Sequence, residues 1–171
     1  MKKILITGLP GVGKTTIIKK IAESLIEKGF KIKGFYTSEI RKGDKRVGFK
    51  IVDFKGREEI FSHISFKSRY KVGKYKVKVE ALEKFLKEMI PYSSDEIIII
   101  DEIGKMECFS KLFKEIVTEL LNSKNIFIGT IALKGGGFIE EVKNSHKIKL
   151  YHVTKENRDN IPELILKEIS K

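Results

Sequence analysis

The segment Gly8-Leu9-Pro10-Gly11-Val12-Gly13-Lys14-Thr15 constrains this chain more than any other feature, because it fits G-x-x-x-x-G-K-[ST] between an apolar run and a helix pattern. Ile4-Leu5-Ile6 precede it and Thr16-Ile17-Ile18-Lys19-Lys20-Ile21-Ala22 follow. Backbone N–H groups can wrap a phosphate only where no side chain crowds the turn, which glycines at 8, 11 and 13 allow. The helix that follows adds the positive end of its dipole. Lys14 is placed to reach β- and γ-phosphates as a catalytic point charge, and the Thr15 hydroxyl to ligate Mg²⁺. A strand, a P-loop and a helix in this order imply an open α/β sheet.

The remaining pattern agrees with that class. Lys31 to Ile40 reads as a strand, the turn-like residues 41–46 follow, and Val47 to Phe54 alternates apolar and polar residues, so a β-hairpin is predicted. Residues 59–63 give a third short strand, adding antiparallel pairing to a mostly parallel sheet. Leu82, Phe85, Leu86 and Met89 recur at helical spacing before the stop at Pro91. Ile97-Ile98-Ile99-Ile100 reads as a strand buried on both faces. A helix at 110–122, a strand at 126–131, a helix at 138–143, a strand at 148–153 and a helix from Ile161 complete a three-layer P-loop α/β fold resembling RecA and the nucleotide kinases. The 171 residues, 41% of them hydrophobic, are enough for one full core, so a single domain is expected over 1–171.

Composition removes other classes. No apolar run approaches the roughly 18 residues that span a bilayer, and no leader precedes the first strand, so a cytoplasmic protein without membrane contact is expected. Cys108 is the sole cysteine, which excludes an intramolecular disulfide and a cysteine-rich metal site and leaves a packing role. A net charge of +12 invites a nucleic-acid reading, yet 30 of the 35 basic residues are lysines scattered along the chain. Only 66–76 is dense, and no recognised nucleic-acid motif appears, so nucleic acid is not the favoured partner.

Asp101-Glu102 ends the isoleucine run, at the strand edge where open α/β sheets put their ligands. Asp101 is the second candidate for holding Mg²⁺, and Glu102 is then free to orient and deprotonate water. A glutamate beside the metal-binding aspartate favours hydrolysis over kinase chemistry. Thr130 either hydrogen-bonds the water or γ-phosphate, or is a satisfied buried threonine. Lys105, Arg41 and Lys134 are the candidates for stabilising transferring charge, unless a partner supplies it. Gly135-Gly136-Gly137 could hinge a small lid. Thr154-Lys155-Glu156-Asn157 approaches the guanine-reading [NT]-K-x-D but lacks its carboxylate, which argues against strong guanine specificity. Arg158, in the same loop, can stack on any base.

Taken together, the P-loop at 8–15, Gly34-Phe35-Tyr36-Thr37-Ser38-Glu39-Ile40-Arg41, Val72-Gly73-Lys74-Tyr75, Asp101-Glu102-Ile103-Gly104-Lys105-Met106-Glu107 and Thr154-Lys155-Glu156-Asn157-Arg158-Asp159 resemble the thermophile-type nucleoside triphosphatase family, which includes a human cancer-related nucleoside triphosphatase. The resemblance spans nearly the whole chain. It implies slow, Mg²⁺-dependent hydrolysis of ATP, GTP, CTP and UTP to diphosphates, with broad base tolerance. Its nucleotide-binding positions carry over onto Gly8, Leu9, Pro10, Gly11, Val12, Gly13, Lys14 and Thr15, with Thr16 adjoining, and onto Asp101, Glu102, Ile103, Gly104, Lys105, Met106 and Glu107. A nucleotide or small-molecule kinase with an acceptor pocket near Glu39 and Arg41, and a nucleic-acid-stimulated NTPase using the 66–76 stretch, are the alternatives; a monomer is the expected state.

Overall fold

The computed structural model describes residues 2–171. In chain order the elements are β1 (Lys3–Thr7), α1 (Lys14–Glu27), β2 (Lys31–Lys42), β3 (Lys45–Asp53), β4 (Glu58–His63), β5 (Lys71–Val72), β6 (Tyr75–Val77), α2 (Val79–Met89), β7 (Glu96–Ile103), a short 3₁₀ turn at Glu107–Phe109, α3 (Lys111–Asn122), β8 (Phe127–Ile131), α4 (Phe138–Lys143), β9 (Lys149–His152) and α5 (Ile161–Ile169). All nine strands join one sheet in the order β5-β6-β4-β3-β2-β7-β8-β1-β9. From β2 to β9 neighbouring strands are parallel; from β2 outward to β5 they are antiparallel.

The unbroken apolar strands follow from helices on both faces. Along β7, Ile98 and Ile100 join Leu5, Phe85, Leu86, Phe113, Ile116 and Ile139 in the layer under α2, α3 and α4. Ile97 and Ile99 point the other way, with Ile4, Ile6, Ile17, Ile18, Ile21 and Ile165 under α1 and α5. A side chain every second residue thus serves each layer, so polar alternation has no place in these strands.

β2 links the two halves of the sheet. Lys31 to Phe35 pair in parallel with Glu96 to Ile100, whereas Phe35 to Lys42 pair with β3 in antiparallel sense. Gly34 permits the close parallel approach: at φ +129°, a Cβ there would fall 1.7 Å from the Ile99 carbonyl oxygen. The strand then runs past the C-terminal edge of the parallel sheet, carrying the hairpin beyond the end of β1.

The hairpin and third strand fall where the pattern puts them, but the extension has four antiparallel strands besides the tail of β2. β5 and β6 escape sequence reading because they are two and three residues long and lysine-rich, so they carry no apolar period. Pairing holds them, with Ser62 opposite Val77 and Lys71 opposite Lys76. Phe61, Val77 and Ile51 extend the layer that α2 covers. β7 also continues through Asp101 and Glu102 to Ile103, so the acids lie within the strand's last turn of pleat and not beyond it.

Candidate active site at the C-terminal edge

β1 lies between β8 and β9, and the chain leaving it crosses to β2 on the far side of β7. That is a switch point, and the crevice it opens at the strand ends receives the loop 8–13. Gly8 is required by crowding, since a Cβ would come 2.7 Å from the Val153 carbonyl oxygen. Gly11 and Gly13 are required by backbone conformation, at φ +77° and +110°. Gly13 is also the N-cap of α1; it offers no capping side chain, and the first turn carries no acid. The first amides of α1 are therefore unshielded donors at the positive end of a dipole, which is an anion-binding arrangement.

The Lys14 ammonium folds back over the loop, donating to the carbonyls of Gly8 at 2.8 Å and Leu9 at 3.1 Å. Thr15, one residue on, points across the sheet and donates from Oγ1 to Asp101 Oδ2 at 2.6 Å. The other Asp101 oxygen accepts from Thr130 Oγ1, also at 2.6 Å. Strand order explains this bridge: β8 separates β7 from β1, and Ile6 sits opposite Thr130 in the register, so Thr130 stands between the loop and the acid. The Thr37 backbone N–H also faces Asp101, from the overhanging part of β2. That contact was not legible in the sequence, since only the register of β2 on β7 reveals it.

Three acids gather here. Burial pushes the Asp101 carboxyl above its usual range, against the hydroxyls of Thr130 and Thr15 and the nearby Lys14 charge, which hold it down. Burial also raises Glu102, and the neighbouring Asp101 charge raises it further, with Lys14 opposing. Glu107, fully buried in the 3₁₀ turn, is raised well above the carboxylate range, first by burial and then by the charge of Glu102. Gly104 is the point where two of them meet: a Cβ there would sit 2.8 Å from Glu102 Oε1 and 3.2 Å from Glu107 Oε2. Sequence places Glu107 in the acidic segment but gives no sign of its burial.

Other candidates lie at varied distances from this centre. Arg158 touches the loop, with Nη1 3.3 Å from the Val12 carbonyl and its Cδ over Gly13. Asn157 braces its own loop, its amide donating to the His152 carbonyl and accepting from the Thr154 N–H, both at 2.8 Å. Pro10, Leu9 and Thr16 are exposed around the loop, while Val12 packs under it. Arg41 is paired with Glu39 at 2.8 Å, and Arg46 holds the same carboxylate at 3.0 Å. It sits four residues beyond Thr37 on β2, about 14 Å further along an extended strand. Lys134 is exposed. Lys105 lines a separate cavity with Cys108, Phe109 and Gly136. Ile103 and Met106 pack into or against the core.

Comparison with known proteins gives the chain a family. The sequence model of the NTPase family matches residues 3–166. The chain is 41% identical over 166 residues to the nucleoside-triphosphatase THEP1 of Thermotoga maritima, covering 96% of this chain and 93% of that protein. It is 35% identical to the human cancer-related nucleoside-triphosphatase, over 96% and 95% of the two chains. The crystal structure of THEP1 from the hyperthermophile Aquifex aeolicus superposes with a TM-score of 0.88 at 38% identity, covering 99% of each chain.

Proposed function

The chain belongs to the NTPase family and is a nucleoside-triphosphatase, and from that premise we propose that it cleaves the β–γ phosphoanhydride of ribonucleoside triphosphates with Mg²⁺, slowly and with little regard to the base. The observation that carries this reading is the Thr15–Asp101–Thr130 bridge at 2.6 Å on each side, which ties the phosphate loop to the strand end that bears Glu102.

Each residue then has a task. The backbone N–H groups of the 8–15 loop, which Pro10 lacks, and the Lys14 ammonium hold the β- and γ-phosphates, with α1 behind them. Thr15 and Asp101 fit Mg²⁺: both are hard oxygen donors, they already share one site, and the surrounding acids leave an excess of buried negative charge that a cation relieves. When bound, Mg²⁺ neutralises charge on the β- and γ-oxygens. Glu102 takes a proton from water as the water oxygen bonds to the γ-phosphorus and the bridging oxygen departs with the diphosphate. Burial serves this role, because it makes the carboxylate a stronger base.

Low base specificity follows from the loop after β9. Asn157, standing where the guanine-reading motif has its carboxylate, engages the Thr154 N–H and the His152 carbonyl, and Arg158 lies on the phosphate loop, so neither supplies the bidentate acceptor that guanine needs. Arg158 is the arginine that touches the loop, whereas Lys105, Arg41 and Lys134 are left for a rearrangement or a partner to bring in. We place the whole chain in the cytoplasm as a single-domain monomer; no helix among the described residues is long and apolar enough to cross a membrane.

Phosphate release with Mg²⁺ and each of the four triphosphates tests the proposal. Glu102→Gln is expected to retain nucleotide and lose about 10²–10⁴-fold in turnover, while Lys14→Ala loses both binding and turnover. Wild-type turnover in Glu102→Gln would remove the base assignment. Binding of Mg–NTP by wild type without phosphate release would overturn the hydrolytic mechanism.

A further inference from the structure

Segments that the hydrolysis mechanism leaves idle converge on one place. The turn between β5 and β6, in the densest basic stretch, meets the segment after β7 and the triple-glycine loop after β8. Between them is a cavity of about 460 Å³, lined by Lys71, Lys105, Cys108, Phe109, Phe138 and Ile139 and by Gly73 and Gly136. This volume lies within the range of small-molecule sites. Tyr70 fixes one wall, its ring 5.1 Å from that of Phe109, and so clamps the β5–β6 hairpin onto the 3₁₀ turn.

The lining specifies chemistry. No acid contributes to it, and neither Lys71 nor Lys105 forms an ion pair among the described residues. Most other cations in the extension are engaged: Arg46 with Glu39, Lys50 with Glu58, and Arg69, Lys74 and Lys78 over aromatic rings. Two free ammonium groups over a floor of Phe109, Phe138 and Ile139 suit a ligand with a flat apolar ring and an anionic group at one end. The size admits one such unit.

The cavity backs onto the hydrolytic centre. Cys108 N–H donates to the Gly104 carbonyl at 3.1 Å, and Gly104 is the residue on which the Glu102 and Glu107 carboxyls converge. A ligand that orders residues 104–109 from the Lys105 and Cys108 side therefore bears on the acids from behind.

We propose that this cavity is a second small-molecule site, taking a ring-bearing phosphorylated anion of mononucleotide size and sharing its 104–109 wall with the carboxylates of the hydrolytic centre. It goes beyond the hydrolysis reading and is tested with hydrolysis stalled. Wild-type protein is titrated first with a non-hydrolysable Mg–ATP analogue, whose failure to bind would count against the P-loop reading alone. The loaded protein is then titrated calorimetrically with AMP, UMP, inorganic phosphate and a short oligoribonucleotide.

The expected result is one mononucleotide per chain, with inorganic phosphate weaker because it lacks the ring. Lys71→Glu, at an exposed position, weakens mononucleotide binding about tenfold or more, the worth of one charge-assisted hydrogen bond. Gly136→Leu obstructs it by adding a bulky side chain to the lining; a Cβ at Gly136 meets nothing within 4 Å, so the variant is expected to fold. Analogue affinity stays unchanged in both. The proposal is overturned if the loaded wild type binds neither mononucleotide, if phosphate binds as well as they do, if only the oligoribonucleotide binds, or if both variants bind mononucleotide like wild type.

Discussion

Charge is buried at both edges of the parallel sheet, but the two edges treat it differently. At the N-terminal edge Lys3 enters between β1 and β8, where its ammonium donates to the Asn125 carbonyl at 2.6 Å and Ser123 Oγ at 3.1 Å. Asn125 is itself anchored, its amide donating to the carbonyls of Ser93 at 2.7 Å and Glu96 at 2.9 Å. Each polar group there has a partner from the chain, and the result is a stitched seam. At the C-terminal edge Asp101 has its two threonines, whereas Glu102 and Glu107 face each other across Gly104 with no side-chain donor among the described residues. One edge satisfies its charge internally; the other concentrates like charge, which costs stability and creates a place for cations, water and phosphate.

Removing a donor at each edge gives the largest expected effects. Asn125→Ala strips two hydrogen bonds from the seam, and Thr130→Val strips one from a buried carboxyl; each is expected to lower unfolding free energy by about 1.5–3 kcal/mol in denaturant titrations. Activity separates them. Asn125→Ala keeps the wild-type kcat, because the seam lies a sheet length from the loop. Thr130→Val lowers kcat as well, because it frees Asp101 from the geometry in which it meets Thr15. Equal loss of kcat in both, after correction for folded fraction, would erase the distinction between the edges.

The same contrast governs what the sequence discloses. The loop at 8–15 is legible residue by residue, because each glycine, Lys14 and Thr15 answers to a local requirement of phosphate binding. Asp101 and Glu102 are legible because an apolar run must end at a sheet edge. The strands read at 31–40 and 47–54 are found at Lys31–Lys42 and Lys45–Asp53, so the turn read at 41–46 is shorter than the sequence suggests. Thr37, Glu107 and the strands at 71–72 and 75–77 are not legible, and for one reason: their positions depend on pairing partners distant in sequence. Thr37 reaches Asp101 only through the register of β2 on β7. Glu107 is carried over as part of the acidic segment with no sign of burial, yet the 3₁₀ turn closes it inside. Lys71 and Lys76 belong to the dense basic stretch of the sequence, yet their mutual pairing and that of Lys76 with β4 put both in the sheet, and Lys71 lines the cavity.

Glu107 sharpens the comparison further. Asp101, Glu102 and the Cys108 thiol surround it, and its carboxyl stands well above the unfolded value. The folded protein therefore binds a proton that the unfolded chain releases, and stability falls as pH rises from about 4.5 towards the folded value. Glu107→Gln removes that penalty while keeping an acceptor oxygen. The variant is expected to melt about 2–4 °C higher than wild type at pH 7.5, equivalent to about 1 kcal/mol for a chain of this length. The gain should vanish by pH 4. A lower melting temperature for the variant at pH 7.5 would mean that the Glu107 charge is compensated, and that the two edges are more alike than their hydrogen bonds suggest.

The smallest expected effect lies at Lys3, where burial lowers the ammonium to about 8 from an ordinary 10.5. Here the folded state releases its proton first, so between about pH 8 and 10.5 the unfolded chain binds more protons and stability from this group rises with pH. Below the folded value that contribution is lost, although the Asn125 and Ser123 acceptors continue to hold the charged form. Lys3→Met has no such dependence. Its melting temperature relative to wild type should therefore drift downwards between pH 8 and pH 10. A flat Lys3→Met difference would show that the seam keeps its lysine fully charged throughout, solvated by carbonyl and hydroxyl oxygens as well as by water.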